Sequence, residues 1–180
     1  MELLGKIVSD LVKAIGQCRG LEVYAEGNNS FEQWMQVVVC GTLKNEGAED
    51  IKVETNCGGL SPDICFMSDN RKFAIELKVI LRNGGGQETD LRKVSRDIEK
   101  FSVYKKNHTI EQGIVLFVIF PCDGVDGFRE WANRTDAPDR NQAYAVMNKS
   151  LVQEVSEEFE FSNDVKGCIF SGALRDEPGV

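Results

Sequence analysis

Asp63, Glu76 and Lys78 fall within SPDICFMSDNRKFAIELKVI, residues 61 to 80, a stretch whose remaining pattern is that of two strands and a turn. The polar tetrapeptide SDNR is rich in turn formers, so the flanking segments read as an antiparallel hairpin. If Met67 faces Lys72, then Phe66 pairs with Phe73 and Ile64 with Ile75, giving one continuous apolar face that fixes the register. The same register puts Asp63 opposite Glu76, and strand alternation places Lys78 on that face, two residues from Glu76. Carboxylates so opposed have Cβ atoms roughly 4.5–5.5 Å apart and destabilise a sheet unless something compensates. A hard divalent cation does so, because Mg²⁺ takes carboxylate and carbonyl oxygens together with water. The neighbouring ammonium can then orient or deprotonate a bound water, or neutralise charge developing on a phosphate.

The elements that must position these residues follow from periodicity. A helix over about 2–18 opens the chain, and a second is expected to start at Ser30, with Gln33 completing a capping box and an apolar stripe of Phe31, Trp34, Met35 and Val38. Gly47 is expected to end it. Strands are expected at about 51–56, 62–67 and 72–80, then a glycine loop at Gly84–Gly86, a helix at about 88–106 and a strand at 113–120. Beyond Pro121 the pattern gives a short helix near 126–134, a strand near 142–147, a helix near 150–159 and a last strand near 166–171. The order α-β-β-β-α-β implies an α/β layer with a mixed sheet, in one domain spanning residues 1–180. Residues 1–29 then form an N-terminal helical part, about 30–120 a core, and 121–180 an acidic C-terminal extension packed on that core.

Pro62–Asp63 and Glu76–Leu77–Lys78 resemble the motif of the PD-(D/E)XK phosphodiesterase superfamily, the restriction-endonuclease-like nucleases. Two further [DE]xK triplets, Asp50–Ile51–Lys52 and Asp164–Val165–Lys166, are set aside. The first has no Pro-Asp strand before it, and the second leaves too little chain for the helix and strand that complete such a core. The resemblance implies a mixed central sheet flanked by helices, with Asp63, Glu76 and the Leu77 backbone carbonyl as ligands of Mg²⁺ or Mn²⁺ and Lys78 as the water-activating or phosphate-stabilising cation. It matches Glu32 to a glutamate that the family often carries on the preceding helix, there to reach the metal through water or to hold a second ion. Glu54 is an alternative extra carboxylate. The implied activity is that of a metal-dependent endonuclease, with DNA as substrate on family frequency. An RNA-processing nuclease and a non-catalytic binding or regulatory module are alternatives, and a homodimer giving two cuts on opposite strands is a hypothesis.

Charge and composition bound these expectations. The net charge is −8, yet from Pro121 onward there are 12 acidic and 6 basic residues, so the acidity is mostly C-terminal and a local basic footprint is allowed. Arg92, Arg96 and Lys100 recur every four residues on the helix over about 88–106, a ridge that could track a phosphate backbone or serve as a salt-bridged surface. Trp34 reads as core, and Trp131 as packing before base stacking. The single histidine, His108, sits after two lysines and fits a helix end. A serine or cysteine triad is therefore not expected, nor is a cysteine/histidine zinc site. Six scattered cysteines without a CxxC pair suit buried thiols in a reducing cytoplasm. No apolar run approaches the roughly 18 residues a membrane helix needs, and the N-terminus lacks a signal peptide's unbroken apolar centre.

Overall fold

A computed structural model describes residues 2–26, 30–56, 59, 61–81, 87–107, 109–161 and 165–176. His108 and Gly84–Gly86 lie outside them. Helix α1 (Glu2–Gln17) buries Leu4, Ile7, Val8, Leu11 and Ile15, the stripe its apolar period dictates. Helices α2 (Gly20–Glu26) and α3 (Glu32–Asn45) follow, then strands β1 (Glu49–Val53), β2 (Ile64–Ser68) and β3 (Arg71–Leu81). Helix α4 (Gln87–Lys106) leads into β4 (Gln112–Phe120), and α5 (Gly124–Ala132), α6 (Pro138–Ser150), β5 (Leu151–Glu160) and β6 (Lys166–Leu174) complete the chain.

One six-stranded sheet runs in the order β1-β2-β3-β4-β6-β5. Only β3 and β4 pair in parallel; the other neighbours are antiparallel. On one face, α1 and α3 seal Ile64, Phe66, Ile75, Leu77 and Val79. On the other, residues of α4, α5 and α6 cover Ala74, Ile80, Val115, Phe117 and Ile119. The protein is thus a mixed α/β sandwich, and β4, buried along nearly its whole length, is its spine.

The hairpin register is the expected one: Ile64 pairs with Ile75, Phe66 with Phe73 and Met67 with Lys72. The Phe66 and Phe73 rings stack at 5.1 Å. Asp69 and Asn70 both take positive φ, 50° and 58°, the left-handed pair that a two-residue hairpin loop needs and that these side chains tolerate.

Several expectations fail. The capping box is absent: Phe31 occupies the α3 cap with no side-chain hydrogen bond, and Ser30 Oγ accepts from the Glu32 N–H at 3.3 Å instead. Among the described residues, the N-terminal part holds two helices where one is expected. The strand expected near 142–147 lies inside α6, which buries Arg140, Ala143, Tyr144 and Met147 at helical spacing and opens on Pro138. The helix expected near 150–159 is strand β5, which puts Phe159 into the core. Its glutamates suggest a helix, but pairing with β6 and burial of Phe159 override local propensity. Nor is the C-terminal third an extension laid on a finished core, because β6 sits between β4 and β5. Cys65 is disulfide-bonded, against the expectation of mostly buried thiols.

Phe159 is 6% exposed and touches the Phe161 ring edge-on at 5.2 Å. Phe159→Ala should lower stability by about 3 kcal/mol in urea denaturation, in one cooperative transition. A loss below about 1 kcal/mol, or a separate early transition, would show that β5 is peripheral to the core.

Candidate active site

The β2–β3 pairing stops at Ile64 and Ile75, whereas β3 runs on to Leu81. Past Ile75, the side of β3 turned toward β2 has no strand partner, and backbone groups left unpaired there would be costly. Carboxylates fill the gap. Asp63, one residue before β2, accepts the Leu77 N–H on Oδ2 at 2.7 Å, and Glu32, in the first turn of α3, accepts the Val79 N–H on Oε1 at 3.0 Å. Four residues on, Gln36 is 7% exposed and donates from Nε2 to Glu54 Oε1 at 3.4 Å and to Asp63 Oδ1 at 3.5 Å. Glu54, just after β1, takes φ 48° and donates its N–H to the Asp63 carbonyl at 3.1 Å. This left-handed backbone, unfavourable for a glutamate, sits beside the acids, where strain is characteristically stored.

On the α4 side of β3 the expected trio meets. Lys78 Nζ donates to Glu76 Oε1 at 2.8 Å and to the Leu77 carbonyl at 2.9 Å, and lies 3.8 Å from Asp63 Oδ2. A fourth member, Asp97 of α4, brings Oδ2 to 3.7 Å from the same ammonium. Asp97 interrupts the buried stripe of Leu91, Val94, Ile98 and Phe101 at a spacing of three from Val94 and four from Phe101. An acid in that stripe is the sequence signal for its place beside Lys78. Gln36 carries the same kind of signal, a polar residue between Met35 and Val39 on the buried face of α3.

The expected basic ridge divides. Arg92 Nη2 pairs with Asp139 of α6 at 2.7 Å, Arg96 is exposed beside that pair, and Lys100 contributes its charge near Asp97. Trp131 is 6% exposed, with the Arg140 guanidinium 4.5 Å above its ring, which makes it a packing residue. Trp34 is half-buried against the core.

Glu76 is 7% exposed, and its Oε2 is buried without a hydrogen-bond partner. Burial first, and then the Asp63 charge, push its pKa from 4.5 up to about 7 against the pull of Lys78. Burial also raises Asp97. The charges of Lys78 and Lys100 work against that rise without cancelling it. Burial pulls the Lys78 ammonium down, but its hydrogen bond to Glu76 and the charges of Glu76, Asp63 and Asp97 outweigh this and raise it.

Among the described residues, no three histidine, cysteine or acidic side chains form a metal-holding group. The oxygens expected as ligands are those of two carboxylates, Asp63 and Glu76, with the Leu77 carbonyl, and each residue already engages a strand N–H or the Lys78 ammonium. These are hard oxygen donors of the kind Mg²⁺ takes, and the partnerless Glu76 Oε2 gives the set an unused acceptor.

A raised carboxyl pKa means that the folded state binds a proton the unfolded state has released. The stability it contributes is full below about pH 4.5 and is lost as pH rises through about 7. Glu76→Gln should remove this slope, so the variant gains on wild type between pH 5 and pH 8 by on the order of 2 kcal/mol in urea titrations. Parallel curves for the two proteins would place the Glu76 pKa near the ordinary carboxylate value.

Among the described residues, no helix is long and apolar enough to cross a membrane. No protein-family model, curated protein or solved structure matches the chain, so the reading of the site rests on its own geometry.

Proposed function

We propose that the protein is a metal-dependent endonuclease that hydrolyses phosphodiester bonds in DNA. The observation that carries this reading is the meeting of Asp63, Glu76 and Lys78 at the open edge of β3, with a buried oxygen of Glu76 left without a partner. The sequence of elements α3-β1-β2-β3-α4-β4 supports it, being the α-β-β-β-α-β order of the restriction-endonuclease-like core. Asp63, Glu76 and the Leu77 carbonyl would hold Mg²⁺ or Mn²⁺, and the ion would supply Lewis-acid stabilisation of the charge that develops on the phosphate. Lys78 places a cation where a water can be oriented for in-line attack and where the same phosphate charge can be neutralised. Asp97 holds that ammonium from the α4 side. Glu32 fixes the far end of the edge through the Val79 N–H, and by the resemblance would reach the ion through water. Arg96 and Lys100 are the cations of α4 left to meet the backbone of the nucleic acid. A homodimer would present two such sites for cuts on opposite strands, and sedimentation that stays monomeric at every concentration counts against it.

One observation favours a second reading, that of a non-catalytic binding module on the same fold. Lys78 already compensates Asp63 and Glu76, and the Asp63 and Glu32 carboxylates cap strand N–H groups, so the acids have structural work without any metal.

Nicking of supercoiled DNA separates the two readings. With Mg²⁺ or Mn²⁺ the wild type should nick, EDTA should stop it, and Glu76→Ala and Lys78→Ala should each lose at least about a hundred-fold. A folded wild type that nicks neither DNA nor RNA with either ion would leave the binding module as the reading. Faster cleavage of RNA than DNA would reassign the substrate.

A further inference from the structure

Beside the open edge of β3, a cleft of about 580 Å³ lies between the end of α1, α2 and the first turn of α3. Leu21 and Phe31, each 3% exposed, are its apolar floor, and Tyr24, 52% exposed, stands at its mouth. Trp34 forms a further wall, its ring 6.2 Å from that of Phe31 and nearly perpendicular to it. The polar part of the lining includes the Glu32 carboxylate and the Gln33 amide. Among the described residues, no lysine or arginine lines it, so it offers no cation to a free phosphate. Flat aromatic walls with one acceptor and one amide suit a nucleobase, whose faces stack and whose edges both donate and accept.

The position of the cleft selects the occupant. Glu32 is both a wall of the cleft and the residue whose Oε1 holds the Val79 N–H, so the cleft begins one side chain from the β3 edge that carries Leu77 and Lys78. A phosphodiester held at the open edge of β3 would have an adjoining nucleoside at the Glu32 end of that edge, where the cleft opens.

We propose that the cleft takes an unpaired nucleobase of the strand being cut, stacked against Tyr24 and Trp34 next to the scissile phosphate. The inference rests on the nuclease reading and narrows its substrate class. A base in the cleft has left its own stack, so single-stranded or locally distorted DNA is cut in preference to a perfect duplex.

Trp34 reports directly on occupancy, because the other tryptophan, Trp131, is buried beneath Arg140, and a Trp34→Phe variant assigns the signal. The probe is a short single-stranded oligodeoxynucleotide, titrated with Ca²⁺ in place of Mg²⁺. The expected results are quenching of Trp34, binding weakened by about ten-fold or more in Tyr24→Ala but by less than about two-fold in Tyr24→Phe, and no quenching by inorganic phosphate. An oligonucleotide with one abasic position should lose the quench when that position sits at the cleft. Oligonucleotide binding that Tyr24→Ala leaves unchanged, or quenching by phosphate alone, overturns the inference. If metal-dependent nicking persists in that case, only the cleft assignment falls. Should the oligonucleotide quench Trp34 as expected while no metal-dependent cleavage occurs, the cleft still takes a base and the nuclease reading falls alone.

Discussion

The site exists because β3 is longer than the strand beside it. Pairing with β2 ends at Ile75, the chain continues to Leu81, and the N–H groups of Leu77 and Val79 are left facing a gap instead of a neighbour. A buried strand cannot leave donors unpaired without losing roughly 1–3 kcal/mol for each. Asp63 and Glu32 answer that demand, one from the start of β2 and one from α3. Once these acids are fixed at the edge, Glu76 and Lys78 on the adjoining face cannot avoid them, and the charge cluster follows from the backbone accounting.

Charge compensation inside the cluster comes from the chain itself. Opposed carboxylates across a hairpin call for a cation, and Lys78 lies within hydrogen-bond or ion-pair distance of Asp63, Glu76 and Asp97. What remains is a surplus of negative charge in a half-buried place, where burial raises the Glu76 and Asp97 pKa values and one Glu76 oxygen has nothing to bond. A divalent ion relieves such a surplus, provided that ammonium and ion can occupy neighbouring positions.

Legibility divided along physical lines. The hairpin register was readable because Phe66 with Phe73 and Ile64 with Ile75 fix it from both strands, and the left-handed Asp69–Asn70 turn agrees with it. The trio followed from that register without reference to tertiary structure. Asp97 and Gln36 could not be reached the same way, because their places depend on how α4 and α3 pack on the sheet, and a single acid or amide within an apolar stripe signals this only weakly. The exchange of strand and helix between 138 and 160 has another cause. Tyr144 and Val146 alternate like a strand, and the glutamates of β5 favour a helix, until β6 supplies a partner and the core claims Phe159.

The most direct test of the site is calorimetric titration of Mn²⁺ into wild type and Glu76→Ala at pH 8, where the Glu76 carboxyl is mostly ionised. A metal site at the open edge of β3 predicts saturable binding by the wild type that disappears in a folded Glu76→Ala. Absence of binding in the wild type, or equal binding by both proteins, would contradict it.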